Sequence, residues 1–232
     1  MKGIILIGGS GQRLYPLSKV IGKALVPVYN KPMIYHVLDL FHRLSISEVL
    51  IVIEREFLDI TKKQIGNFYE SFISIHYEPI DRSPGMAATL AKAEDFAAGE
   101  TVAVSTCDTF LEELPDISNF KEGARFFFKE NLRAKEHTVG ELSPEGKLID
   151  LEEKPANPKS NWTLIGFYLY DSKIFKYIRD LKISPRGELE LLEANKKYIK
   201  EGKAEARIIK GIWIDTGTFE NIFKASEFIK NR

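Results

Sequence analysis

Gly8, Gly9 and Gly11, with Ser10 among them, end the apolar run Gly3-Ile4-Ile5-Leu6-Ile7. Arg13 follows directly, and Lys23 comes ten residues after it. Glycine reaches positive φ without steric cost, so the backbone N–H groups of such a loop can converge on an anion. A guanidinium and an ammonium beside the same loop suit a polyphosphate, and a nucleoside triphosphate is the first ligand to consider. Neither of the better-known phosphate loops fits. A dinucleotide fingerprint needs glycine where Gln12 or Leu14 stands. A P-loop needs Ser or Thr after Gly22-Lys23, where the chain has Ala24, and glycine where it has Leu17.

The carboxylates come later in the chain. Asp108 follows the apolar run Thr101-Val102-Ala103-Val104-Ser105, which puts it at the C-terminal end of a strand, the edge where open α/β sheets bind ligands. Asp215 lies in Trp213-Ile214-Asp215-Thr216-Gly217-Thr218, and Glu153 and Lys154 lie in Glu152-Glu153-Lys154-Pro155. Each also has a plain structural reading: a cap or turn for the two aspartates, a solvated strand end for the Glu-Lys pair. Spacing alone does not bring any of them together. His36, His42 and His76 lack metal-ligand spacing and read as structural. Phe126-Phe127-Phe128 reads as sheet core, and Phe219, Ile222, Phe223 and Phe228 as the packing face of a last helix.

These residues need a scaffold, and the hydrophobic pattern supplies one. Strands are expected at Gly3–Ile7, Glu48–Ile53, Phe72–Tyr77 and Thr101–Ser105, separated by amphipathic helical segments. The clearest of these helices puts Ile34, Val37, Leu38, Phe41 and Leu44 on one face, with Asp39 and Arg43 opposite. Such alternation implies a mainly parallel sheet covered on both faces. Further strands are expected at Arg125–Lys129, Thr138–Leu142, Lys147–Leu151, Thr163–Tyr170 and Glu205–Lys210. A Ser143-Pro144-Glu145-Gly146 turn joins the second and third of these. Helices are expected at Lys173–Leu181, Glu188–Glu201 and Phe219–Lys230. No linker or repeat interrupts this order, so the later strands are expected to extend the same sheet.

Composition removes several classes of function. Lys plus Arg and Asp plus Glu both number 33, so no net field draws nucleic acid to the chain. The single cysteine, Cys107, allows no internal disulfide and no zinc cluster, which suits a cytoplasmic location. No apolar stretch approaches the ~20 residues of a membrane helix, and Met1-Lys2-Gly3-Ile4 leads into a strand pattern rather than a signal peptide.

The segment Gly8 to Pro16, with Lys23 and Pro27 behind it, resembles the signature of the sugar-nucleotide pyrophosphorylases. Within that family the likeness is nearest to the glucose-1-phosphate thymidylyltransferases. It extends through Lys31-Pro32-Met33-Ile34-Tyr35, the Glu153 and Asp215 segments, Pro158-Lys159-Ser160-Asn161 and Arg186-Gly187-Glu188-Leu189-Glu190. The resemblance implies one α/β nucleotidyltransferase domain over 1–232, without the extra C-terminal segment of many relatives. Its fold would be doubly wound and Rossmann-like, a mixed and mostly parallel sheet with helices on both faces.

The reaction implied joins a nucleoside triphosphate (dTTP in the nearest relatives) to a sugar 1-phosphate (glucose 1-phosphate in the same relatives), giving an NDP-sugar and pyrophosphate. Arg13 and Lys23 would be catalytic. Gly8, Gly9, Ser10, Gly11, Glu78 and Gly85 would bind the nucleotide. Glu153, Lys154, Leu164 and Gly166 would bind the sugar phosphate, and Asp108 and Asp215 would hold Mg²⁺. Neither a nucleic-acid nor a membrane partner is implied, and a homo-oligomer is left open.

The chain departs from the family pattern in four places. Glu78, in an expected Glu78–Gly85 loop, replaces a glutamine that reads the base. The segment Gly-Leu-Ala-Gln-Ala becomes Gly85-Met86-Ala87-Ala88-Thr89. Gly-Asp-Asn becomes Cys107-Asp108-Thr109, with Cys107 expected to crowd the nucleotide. A hexose-contacting Tyr-Gly becomes His137-Thr138. These changes motivate an alternative reading, a non-catalytic nucleotide or sugar-nucleotide sensor on the same fold.

Overall fold

Ile4, Ile5 and Leu6 are at most 2% exposed, because the first strand lies at the centre of the sheet and is covered on both faces. The computed structural model describes residues 1–9, 11–81 and 85–232. Its first half runs β1 (Lys2–Leu6), α1 (Leu17–Ile21), β2 (Pro27–Val28), β3 (Lys31–Pro32), α2 (Met33–Arg43), β4 (Glu48–Glu54), α3 (Leu58–Glu70), β5 (Ser74–Ile80), α4 (Met86–Ala91), α5 (Glu94–Ala97), β6 (Val102–Thr106) and β7 (Thr109–Leu111). The second half runs β8 (Ala124–Glu130), β9 (Thr138–Leu142), β10 (Leu148–Glu153), β11 (Trp162–Tyr170), α6 (Lys173–Arg179), α7 (Leu191–Lys200), β12 (Ala204–Ile208), β13 (Trp213–Asp215) and α8 (Phe219–Lys230).

Strands β5, β4, β1 and β6 lie side by side and parallel. The chain moves from β1 out to β4 and β5, then crosses back to place β6 on the other side of β1. This reversal creates a crevice at the C-terminal ends of β1 and β6, where doubly wound sheets bind ligands. β11 adds antiparallel to β6 and carries β8, with β12 parallel beyond it. The β9–β10 hairpin joins the start of β11 through Thr163 and Val139, so the later strands do extend the same sheet.

Alternation along the strands divides the core into two layers. Ile5, Phe41, Ile51, Phe127 and Phe167 pack on one face, and Ile4, Leu6, Val52, Phe126, Phe128 and Tyr170 on the other. Phe126, Phe127 and Phe128 are all fully buried, as expected for core, and each burial contributes about 1.5–3 kcal/mol.

Three expectations need correction. The strand expected at Phe72–Tyr77 runs Ser74–Ile80, so Glu78 sits within a strand and not in a loop. Its Cα pairs with Val52 of β4, because the parallel ladder continues as far as Glu54 and Ile80. The helix expected from Glu188 begins at Leu191. In α8, Phe219 and Phe223 are 46% and 65% exposed. That helix packs instead through Ala225, Ile222 and Ile229, with Phe228 edge-on to Phe110.

Candidate active site

The glycine loop leaves β1 at the crevice. Gly9 and Gly11 have φ of +85° and +58°, the left-handed region where a side chain is strained. The Ser18 hydroxyl donates to the Gly11 carbonyl at 2.8 Å, fixing the end of the loop to α1. Ser10 lies outside the described residues. Arg13 sits in a single 3₁₀ turn, Gln12–Leu14, anchored by the fully buried Leu14, while its own side chain is 63% exposed. Lys23 starts a second 3₁₀ turn after Gly22 and points back under the loop.

A ladder of three residue pairs assembles the charged centre. β13 runs antiparallel to β7 with Asp215 opposite Thr109, the neighbour of Asp108. The backbone N–H and hydroxyl of Thr216 both donate to the Asp108 carbonyl at 2.9 Å. Gly217 marks the point of convergence. A Cβ built there would stand 2.8 Å from Asp215 Oδ1, 3.2 Å from Asp108 Oδ2 and 2.7 Å from Arg13 Nη2. Only glycine leaves that space open.

Lys23 Nζ lies 2.5 Å from Asp108 Oδ2, and Arg13 Nη2 lies 3.8 Å from Asp215 Oδ2. Burial alone would push the Lys23 ammonium down, but the adjacent Asp108 carboxylate outweighs it and holds Lys23 above its ordinary range. Burial likewise opposes ionisation of Asp108, and Lys23 reverses that, so Asp108 is held low. Asp215 shifts upward, first through burial and then through repulsion from Asp108. Two carboxylates facing one space suit a hard divalent cation, which takes one or two carboxylates and completes its shell with water and phosphate oxygens. Among the described residues no group of three or more His, Cys, Asp or Glu could hold a metal, so the donor set does not suit a closed zinc cage.

The other side of the crevice comes from the antiparallel strands. Glu153 ends β10 opposite Thr138, the first residue of β9. Lys154 follows with φ +45°, its N–H donating to the His137 carbonyl at 3.0 Å and its Nζ 3.6 Å from Glu153 Oε1. Leu164 and Gly166 lie on β11, with the Thr106 and Thr109 hydroxyls packed over Gly166.

Two adjoining cavities result. One, about 400 Å³, is lined by Gly8, Gly9, Arg13, Lys23, Gly85, Asp108 and Lys154, among others. The second, about 210 Å³, includes Asp215, Glu153, Leu164 and Gly166. Arg13, Asp108 and Lys154 line both.

The structure thus brings together every expected site residue it describes except Gly11, at the end of the loop, and Glu78, neither of which lines a cavity. Glu78 is two strands from β1, and the rim near Gly85 is formed instead by Met86, Thr89 and Glu188. Cys107 does not crowd the cleft. It packs in the core at 1% exposure, and burial pushes its thiol up to about 12. Sequence reasoning did not single out Thr106, Tyr168 or Gly217 as site residues. The Asp215-Thr216-Gly217 turn was the available signal for Gly217, and the two-residue period of β11 after Leu164 and Gly166 was the one for Tyr168.

The family model described as nucleotidyl transferase matches residues 2–232. The chain belongs to the nucleotidyl transferase family. It is 34% identical to the glucose-1-phosphate thymidylyltransferase of Neisseria meningitidis over 99% of this chain and 83% of that protein. It is 32% identical to the enzyme of the same name from Mycolicibacterium smegmatis, over 99% and 82%. A solved Bacillus anthracis structure, assigned as a glucose-1-phosphate thymidylyltransferase and holding a sucrose, superposes with TM-score 0.93 at 35% identity, covering 100% of this chain and 96% of that one. A UDP-glucose pyrophosphorylase complexed with UDP-glucose shares the fold, with TM-score 0.87 at 22% identity. The nucleotidyl transferase fold is therefore the doubly wound, mostly parallel sheet expected from the sequence. No helix among the described residues is long and apolar enough to cross a membrane.

Proposed function

We propose that this nucleotidyl transferase joins a nucleoside triphosphate, dTTP by its relatives, to a sugar 1-phosphate, glucose 1-phosphate by the same relatives. The observation that carries this reading is the meeting of two cavities at Arg13, Asp108 and Lys154. A transferase of two phosphorylated substrates needs two compartments sharing one charged wall, where the reacting phosphates lie within bonding distance.

In this reading a phosphate oxygen of the sugar 1-phosphate attacks the α-phosphorus in line. The bond between the α-phosphorus and the bridging oxygen breaks, and its electrons leave with pyrophosphate. Gly8, Gly9 and Gly85 give the triphosphate a surface free of side chains, and Gly11 turns the same loop, to which Ser10 belongs. Arg13 grips the departing pyrophosphate with its planar fork, and Lys23 places a compact charge against the α-phosphate. Lys154 holds the sugar's phosphate, while Glu153 accepts from its hydroxyls, with Leu164 and Gly166 behind. Asp108 and Asp215 would hold Mg²⁺, which supplies neutralisation of the phosphate charge when bound. Glu78 is given no role in reading the base, since it lines neither cavity.

The sensor reading is favoured only by the departures at Glu78, Cys107 and His137. Two of these, Glu78 and Cys107, lie outside both cavities. Pyrophosphate release, measured with each common NTP crossed with several sugar 1-phosphates, tests the proposal. Turnover is expected with at least one pair and with a divalent cation present. Binding without turnover would select the sensor.

A further inference from the structure

We propose that Thr138 is a positioning residue that fixes Glu153 and so selects the sugar. This rests on the sugar 1-phosphate reading of the smaller cavity. Thr138 opens β9 directly opposite Glu153, and both side chains line that cavity. The Thr138 hydroxyl donates to Glu153 Oε2, while Lys154 Nζ lies 3.6 Å from Oε1. An ionised carboxylate has no proton to give, so the direction of the first bond is settled. Oε2 is thereby held before any ligand arrives, with Lys154 Nζ beside Oε1, which lowers the ordering cost that a free glutamate side chain would add to binding.

The same bond sets what this corner can recognise. A threonine hydroxyl has one proton, and here it is committed to Glu153, so Thr138 and Glu153 together offer the sugar only acceptors. Across the cavity, the Thr109 hydroxyl donates to the Gly166 carbonyl at 3.2 Å, leaving it no proton for a ligand. The substituent facing Glu153 must therefore donate, as a free hydroxyl or amine does. A deoxy, keto or esterified position leaves the Glu153 acceptor unmet. The glycine of the family pattern at this position has no side chain to make the contact, so the device belongs to this chain.

The test compares wild type with Thr138→Val, which keeps the β-branched shape without the hydroxyl, and Thr138→Ser, which keeps the hydroxyl. Glucose 1-phosphate and its monodeoxy analogues serve as acceptors. Thr138→Val is expected to raise the sugar KM about tenfold, the scale of one hydrogen bond to a charged group, with kcat and the NTP KM within about twofold. Thr138→Ser should stay near wild type. For the deoxy analogue that lacks the hydroxyl facing Glu153, the difference between wild type and Thr138→Val should disappear, because the two changes remove one coupled interaction.

An unchanged sugar KM in Thr138→Val overturns the proposal. So does a parallel change in both KM values and kcat, or a failure of Thr138→Ser to restore the KM. If wild type turns over no pair, the catalytic reading fails. Calorimetric titration of glucose 1-phosphate into the same three proteins then decides the role of Thr138. Weaker binding in Thr138→Val alone upholds it, and equal binding or none overturns it.

Discussion

The two halves of the cleft are built to different standards of enclosure. On the side proposed for the triphosphate, Lys23 and Asp108 have side chains only 14% and 13% exposed, and Asp108 sits at the end of a parallel strand buried on both faces. On the side proposed for the sugar, Lys154 and Glu153 are 59% and 32% exposed at the end of a hairpin. Charges close together in a desolvated site interact far more strongly than charges in water. The buried half suits stabilisation of charge that develops during reaction, whereas the open half suits recognition by several modest contacts. Separable halves would let a change of acceptor alter the second without disturbing the first.

The largest effect expected from this contrast is on turnover. Lys23→Ala and Asp108→Asn should each lower the rate of pyrophosphate release by at least ~10²-fold, the scale for removing preorganised charge stabilisation. A near-normal rate in either variant breaks the assignment of chemistry to the buried half.

A smaller and different effect is expected across the cleft. Glu153→Gln and Lys154→Ala should raise the KM for the sugar 1-phosphate by about 10- to 100-fold, the scale of a lost hydrogen bond to a charged group, leaving the NTP KM within about twofold. Steady-state kinetics with each substrate varied in turn separates the outcomes. Equal changes in both KM values would show that the halves are not separable.

The smallest effect concerns stability. Asp215 titrates above its ordinary value because burial and the Asp108 charge oppose its ionisation. A carboxylate with a raised folded-state pKa favours the fold below its unfolded pKa, and that contribution is lost as pH rises through the folded pKa. At neutral pH the ionised Asp215 therefore works against the ligand-free fold. Asp215→Asn should abolish turnover yet raise Tm at pH 7, on the order of 2–4 °C for ~1 kcal/mol in a chain of this size. The gain should narrow as pH falls towards the ordinary Asp value of 3.8. Melting curves in metal-free, phosphate-free buffer check this, and a lower Tm in the variant at pH 7 contradicts the electrostatic account.

Much of the fold was legible because its signals are local. A β-branched run such as Ile4-Ile5-Leu6 and a helix face such as Ile34, Val37, Leu38 and Phe41 declare their period within a few residues. Elements that depend on distant partners were harder to see. β7 and β13 have three residues each, too short for any period, and exist because they pair with one another. Glu78 was misplaced for a related reason: β5 continues past Tyr77 only because β4 runs alongside it. Phe219 and Phe223 have helical spacing, but the turn entering α8 leaves them outward.

The sequence by itself determined the chemical parts. Gly9 and Gly11 where the backbone turns left-handed, Arg13 and Lys23 beside them, and Asp108 at the end of a buried strand are properties of residue type and neighbouring chain. Which parts meet was decided only by tertiary structure. Asp215 lies more than a hundred positions beyond Asp108 and reaches it through the β7–β13 ladder and the two bonds from Thr216. Thr138 reaches Glu153 through the register of a hairpin, and the core takes up Cys107 while leaving Asp108 in the cleft. A chemical group is written into one residue, but the distance between two groups is set by the packing of everything between them.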